Sequence, residues 1–330
     1  MKPAVTFNKE YTNIFFHILT ACNLSCSHCY INKKQHGEGK LPLETIIAWL
    51  SWFKPSQKKT NLVLLGGEPS LHPDLPKIVE KARELSFRSI TIDTNGFLFH
   101  DLLNKTNPNH VDLLNFSLDG ATAKTNDMIR GEGSYKTCIL GIQNAIKKGF
   151  QTGIIYTVSR NNFAELKDMV PIVESLGVDR FFIQIIGLRG NLANQDNRNI
   201  YVDKDAWLSC IPDVAKEIAS LGTVCTYPKV YLDIDDPFEC AGLLSNNYFI
   251  FPNGRVYQCP LCEDYPLHSY LFMGNQLQHT AKINEKDLFS LNIPEGCVMN
   301  KLIQPYNIQY DNNSKSLYKI ACCLLKEEIS

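Results

Sequence analysis

Between residues 12 and 186, short apolar runs rich in β-branched and aromatic side chains alternate with stretches whose apolar residues recur every three or four positions. The runs are NIFFHIL (13–19), NLVLLG (61–66), SITIDT (89–94), VDLLNFSL (111–118), TGIIYTV (152–158) and RFFIQII (180–186), each the length of a buried strand. Between them, Leu43, Ile46, Ile47 and Leu50 share one helical face. So do Leu75, Ile78, Val79 and Ala82 behind a capping Asp74, and Leu166, Met169, Val170 and Val173. Six strands alternating with helices predict a parallel sheet with right-handed crossovers. Periodicity does not choose between an open doubly wound sheet and a barrel.

After the sixth run, GLRGNLANQDNRNIYV (187–202) is polar and Asn-rich, as in a mobile loop at the mouth of a site. A helix follows with Trp207, Cys210, Ile211 and Val214 on one face. Beyond about residue 225 the rhythm stops, and NYFIFPNGRVYQC reads as a hairpin turning at Asn253-Gly254. The chain therefore divides into an α/β core, 1–224, and a smaller region, 225–330.

Charge adds little to this picture. Thirty-three Lys and Arg balance 34 Asp and Glu, leaving no excess to draw the chain to nucleic acid or an anionic membrane. The N-terminus lacks a signal-peptide pattern and no apolar run approaches a membrane span, so the expected location is the cytoplasm. Twelve cysteines are then better read as metal ligands, redox groups or core thiols than as disulfides.

Cysteine spacing changes the picture most. LTACNLSCSHCYINKK (19–34) follows the first strand and carries Cys22, Cys26 and Cys29 as C-x3-C-x2-C with no fourth thiol. A closed zinc or iron–sulfur site takes four protein ligands, so three thiols imply a metal position filled from outside. A partial zinc knuckle or a thioredoxin-like C-x2-C is the plainer alternative. Cys138 and Cys210 lie on apolar helical faces and read as core thiols, and Cys225 has no partner motif.

The triad, with His28 between its second and third thiols, resembles the C-x3-C-x-Φ-C signature of the radical S-adenosylmethionine (SAM) superfamily. That resemblance implies a partial (β/α)6 barrel and a [4Fe–4S] cluster held by three cysteines, with SAM chelating its open iron. It extends to LLGGEPSLHP, where Gly66 and Gly67 allow close backbone approach and Glu68 is expected near the methionine ammonium. TIDTNG and NFSLDG resemble the family's third and fourth strand ends, placing Thr94, Asn95, Ser117 and Asp119 at the site. Arg130 in NDMIRGEGSY resembles an arginine that pairs with the SAM carboxylate.

In the C-terminal region, Cys240, Gly254 and Cys259 form C-x13-G-x4-C, followed by Cys262 and later by Cys297, Cys322 and Cys323. This resembles the opening of SPASM and twitch extensions, which carry auxiliary clusters. Six thiols cannot fill two four-cysteine sites, so a single auxiliary [4Fe–4S] cluster on Cys240, Cys259, Cys262 and Cys297 is expected, with Cys322 or Cys323 as replacements for Cys297. A four-thiol zinc site uses the same ligands.

The resemblance implies an oxidoreductase or maturase that cleaves SAM to a 5′-deoxyadenosyl radical. That radical would abstract hydrogen from a peptide or small metabolite, leading to oxidation or cross-linking, with a flavodoxin-type electron donor. Carbon–carbon bond formation, epimerisation, and a non-catalytic iron–sulfur module are the alternatives. Only about a dozen residues precede the first predicted strand, which argues against a leader-peptide domain there. The aspartate that serves as base in sulfatase-maturating relatives is replaced by Pro260; Glu263, Asp264 and Tyr265 are nearby, and none is selected as base.

Overall fold

In a computed structural model, residues 5, 7–53, 59–193 and 200–330 are described. Seven strands form a parallel sheet: β1 (Tyr11–Leu19), β2 (Lys59–Gly66), β3 (Ser89–Thr94), β4 (Leu113–Ser117), β5 (Thr152–Val158), β6 (Arg180–Ile185) and β7 (Val224–Pro228). They lie side by side in sequence order with no reversal. Right-handed crossovers that always step the same way put every connecting helix on one face, so the sheet curls. This decides for a partial barrel against the doubly wound sheet, whose strand order reverses.

Alternation along each strand separates the two faces. Ile90, Ile92, Leu114, Phe116, Ile154, Tyr156, Phe181 and Ile183 are buried against the helices Leu43–Trp52, Leu75–Glu84, Ser134–Lys147, Met169–Leu176 and Lys204–Ser220. The helix Leu75–Glu84 contributes Leu75, Ile78, Val79 and Ala82, the predicted i, i+3, i+4, i+7 stripe. Of these, each fully buried Leu, Ile or Val contributes about 1.5–3 kcal/mol. The alternate residues, among them Asp93, Asn115, Ser117, Ile155, Phe182 and Gln184, line the concave face.

Most strands past residue 224 extend the same sheet. β7 continues the parallel run beyond the six predicted strands. A short pair, β8 (Tyr231–Leu232) with β13 (Lys319–Ile320), stands apart. β9 (Asn246–Ile250) pairs in parallel with β1 and starts an antiparallel meander through β10 (Arg255–Tyr257), β11 (Tyr270–Met273) and β12 (Gln276–His279). β14 (Lys326–Ile329) runs antiparallel to β7 at the other edge, so the large sheet has twelve strands among the described residues. The β9–β10 reversal falls at the predicted place: Gly254 has φ +84°, and its N–H donates to Phe251 O at 2.9 Å.

Candidate functional site

The predicted residues of the first site gather where β1–β4 end, the end at which parallel barrels carry their ligand loops. Cys22 is exposed, and Cys26 and Cys29 are half-buried on one loop after β1. Close approach of the next strand fixes that loop. Gly67 N–H donates to Leu19 O at 3.1 Å and Glu68 N–H to Ala21 O at 2.9 Å. A Cβ on Gly66 or Gly67 would lie 2.3 Å from Leu19 O or 2.1 Å from Ala21 O, so no side chain fits at either position.

Glu68 is fully buried, and its carboxylate is held by the protein itself. Oε1 accepts from Ser70 N at 3.0 Å, Ser70 Oγ at 2.6 Å and Thr94 Oγ1 at 2.8 Å, and Oε2 accepts from Asn95 N at 2.7 Å. Burial raises its pKa and these bonds pull it back. Glu68 thus ties the ends of β2 and β3 together. Asn95 carries the tie to the triad loop, its Nδ2 reaching Asn23 Oδ1 at 2.8 Å and lying 3.8 Å from Cys22 Sγ.

Asp119 organises the other side. Its fully buried carboxylate lies 2.6 Å from Arg130 Nη2 and 3.2 Å from His28 Nε2, and its Oδ1 accepts from Thr157 N at 2.7 Å. Burial opposes the charge, but Arg130 and His28 outweigh it and hold the carboxyl below the ordinary carboxylate value. Arg130 O lies 3.9 Å from Cys26 Sγ. Ser117 sits at the end of β4 on the concave face, with its backbone O taking the Cys138 thiol at 3.6 Å.

Two buried nitrogens beside the thiols, Arg130 Nε and His28 Nδ1, have no hydrogen-bond partner. Arg130 Nε–H is a donor, and an unmet buried donor costs about 1–3 kcal/mol, which a bound group with acceptor oxygens would relieve; His28, whose Nε2 faces the Asp119 carboxylate, presents Nδ1 as an acceptor when the ring is neutral. Three thiols on one loop with an unmet guanidinium donor alongside fit a three-thiolate cluster bearing a carboxylate-containing ligand.

The C-terminal thiols converge from four separated segments. Cys240, Cys259, Cys297, Cys322 and Cys323 line one cavity walled by Phe238, Pro260, Leu288, Phe289, Met299 and Leu324. Cys262 is buried behind it and pairs with Cys259, while Cys240 pairs with Cys322. Cys297 Sγ accepts from Asn300 N at 3.4 Å at the start of the helix Val298–Ile303. No three thiols or other Cys, His, Asp or Glu side chains among the described residues are already drawn onto one point. An apolar cavity ringed by thiols has the donor set and the dryness that an iron–sulfur cube requires.

Several residues had no signal in the sequence. Arg189, in the stretch read as a mobile loop, pairs with Glu263 and stacks over Tyr30, whose hydroxyl meets His17 Nε2 at 2.8 Å. His17 Nδ1 faces Ile250 O, so Nδ1 carries the proton and Nε2 accepts from Tyr30. Residues 187–193 are pinned, and 194–199 lie outside the described residues. Glu263 and Asp264 are engaged by Arg189, Asn32 and Gly190, and Tyr265 is exposed. The concave face presents different titratable groups. Burial raises Asp93 to about 6, with one oxygen held by Asn115 Nδ2 at 2.9 Å, and lowers Lys326 on β14 to about 8. Cys138, Cys210 and Cys225 are buried. No helix among the described residues is long and apolar enough to cross a membrane.

Comparison with known proteins places this geometry. The family model described as Radical SAM superfamily matches residues 17–171, which include the triad, the Gly66-Gly67-Glu68 turn, Asp119 and Arg130. A probable GTP 3′,8-cyclase of Saccharolobus islandicus is 27% identical over 273 residues, 78% of this chain and 85% of its own length. The pre-heme d1 synthase of Dinoroseobacter shibae is 28% identical over 183 residues, 54% of this chain and 45% of its own. Among solved structures, Streptococcus suis SuiB aligns with a TM-score of 0.63 at 15% identity, over 91% of this chain and 67% of that one. Native anSMEcpe with bound AdoMet aligns at 0.58 and 14%, over 89% and 82%. Both share the fold. With the thiol loop and its glycine turn inside the matched span, residues 17–171 form a radical SAM domain, which makes the chain a radical SAM enzyme.

Proposed function

We propose that this enzyme abstracts hydrogen from a peptide or small metabolite held on the concave face between two thiol sites, and that the product is oxidised or cross-linked. The observation that carries this reading is the unmet donor Arg130 Nε beside three thiols at the strand ends. Cys22, Cys26 and Cys29 would hold a [4Fe–4S] cluster, which with SAM supplies the 5′-deoxyadenosyl radical. Arg130, oriented by Asp119, would receive the SAM carboxylate. Gly66 and Gly67 keep the loop close. Glu68 holds Thr94 and Asn95 in place, and a methionine ammonium would reach its carboxylate by sharing or displacing one of the four bonds it already accepts.

The apolar cavity among Cys240, Cys259, Cys297, Cys322 and Cys323 supports an auxiliary cluster in the region 225–330, taken as a unit distinct from the core 1–224. Such a cluster would accept the electron that oxidation releases, and a flavodoxin-type protein would supply the first. Cys262, paired with Cys259, belongs to the same set.

Similarity to GTP 3′,8-cyclases favours a second reading, bond formation within a nucleotide. The charges on the concave face argue against a triphosphate. Arg180 and Arg189 each already face a carboxylate, at 3.0 and 2.6 Å, and Arg130 is taken by SAM in this reading. A substrate of low charge suits a face on which Lys326 stands opposite Asp93. Anaerobic reduction with SAM tests the function. 5′-Deoxyadenosine should form and increase when the right peptide or metabolite is added, with a mass change in that compound. Formation with GTP instead would favour the second reading.

A further inference from the structure

We propose that Arg189 and Asp264 clamp the two thiol-bearing loops to each other, so that the state of the C-terminal thiols sets how tightly the N-terminal loop holds SAM. This rests on the two-site reading above. The residues Arg189, Gly190 and Asn191 lie between the loops and are bonded to both. Toward the C-terminal thiols, Arg189 Nη1 donates to Pro260 O at 2.9 Å, between Cys259 and Cys262, and to Glu263 Oε2 at 2.6 Å. Asp264 reaches back, its Oδ2 accepting from Gly190 N at 2.8 Å and its Oδ1 from Asn32 Nδ2 at 2.8 Å.

Toward the N-terminal thiols, Asn191 N–H donates to Cys29 O at 2.9 Å and Asn191 Nδ2 donates to Cys26 O at 2.9 Å. The Arg189 guanidinium lies 4.9 Å over the Tyr30 ring. Between these contacts, Gly190 has φ +56°, and a Cβ there would fall 2.3 Å from Cys29 O. The bridge is therefore in van der Waals contact with the backbone of a triad cysteine and leaves no slack. Ligation of Cys259 and Cys262 fixes the turn that carries Pro260 and Glu263. Loss of ligation frees that turn, and the slack passes through Arg189 to the carbonyls of Cys26 and Cys29.

The two residues act by position and touch no reacting atom in this scheme. Their effect is a coupling between sites, which a double-mutant cycle isolates from plain structural loss. SAM dissociation constants are measured anaerobically on the full chain, as is the electron paramagnetic resonance signal of the triad cluster with SAM. In the otherwise native protein, C259A/C262A should weaken SAM binding at least about fivefold, the low end of typical allosteric coupling. In an R189M/D264A background the same cysteine change should alter it less than about twofold. R189K, which keeps the charge, should restore part of the response. Should R189M/D264A not fold, Glu263→Gln and Asp264→Asn, which retain shape and remove charge, carry the same cycle.

An equal factor in both backgrounds overturns the clamp, as does no response to C259A/C262A in the native background. Iron content separates this from failure of the two-site reading. About eight irons in the native protein with an unchanged factor sinks the clamp alone, whereas about four irons removes the auxiliary cluster and the clamp with it.

Discussion

The two thiol sites are built in opposite ways. The first takes three thiols from eight consecutive residues, 22–29, surrounds them with polar partners and leaves Cys22 exposed. The second takes six thiols from positions 240 to 323 and encloses them in apolar walls. A site that must admit a charged ligand needs unmet donors and an open side. A site that only stores or passes an electron needs dryness and no opening. The difference in build is what the two proposed roles demand.

The contrast breaks most completely at the triad. Replacing Cys26 by alanine removes a ligand that no neighbouring thiol can supply, so 5′-deoxyadenosine formation should fall to background. Product measured by chromatography at wild-type levels would mean that another set of thiols drives the chemistry. At the C-terminal site six thiols stand where four suffice, so single alanine changes at Cys297, Cys322 and Cys323 should differ. The one that abolishes auxiliary iron is the fourth ligand, and loss at Cys323 but not Cys297 would displace Cys297.

Next in size is the buried charge cluster. Asp119→Ala leaves the Arg130 guanidinium buried without its carboxylate, which costs about 3–5 kcal/mol, and denaturant unfolding should show it. An unchanged midpoint would mean that Arg130 swings to solvent. Glu68→Ala should weaken SAM binding about ten- to a hundredfold, corresponding to roughly 1.5–3 kcal/mol, with triad iron retained. Binding that survives would make Glu68 a tie between strand ends and nothing more.

The smallest effect concerns pH. Burial lowers His36 from 6.5 to about 3. Below pH 6.5 the unfolded chain takes up a proton that the folded chain refuses, so stability is lost as pH falls from about 6.5 toward 3. At pH 5 this amounts to about 2 kcal/mol. Between pH 7 and pH 5, His36→Gln should lose about that much less than the native protein in urea titrations. Equal losses would place the acid sensitivity elsewhere.

What could be read from the sequence follows the same division. SITIDT and TGIIYTV became β3 and β5 residue for residue, because alternation and turn residues specify a central parallel strand locally. The triad and its glycine turn were equally local. β14 escaped notice because Lys326, Glu327 and Glu328 look like a solvated tail. Only the fold reveals Arg180 and Tyr227, which receive the two glutamates. β7, VCTYP, contains a proline and has every position buried, so no period marks it. Arg189 had no signal either, since its partners Tyr30, Pro260 and Glu263 are far away in sequence. Contacts of that separation are set by tertiary structure, which is why the polar composition of 187–193 gives no hint of its hydrogen bonds to Gln304 and Cys26.

The most direct test of two separate thiol sites is metal analysis of the variant lacking Cys22, Cys26 and Cys29. After anaerobic reconstitution it should retain about four irons with matching sulfide, the content of one cube on the C-terminal thiols. Zinc without sulfide, or no metal at all, would contradict it.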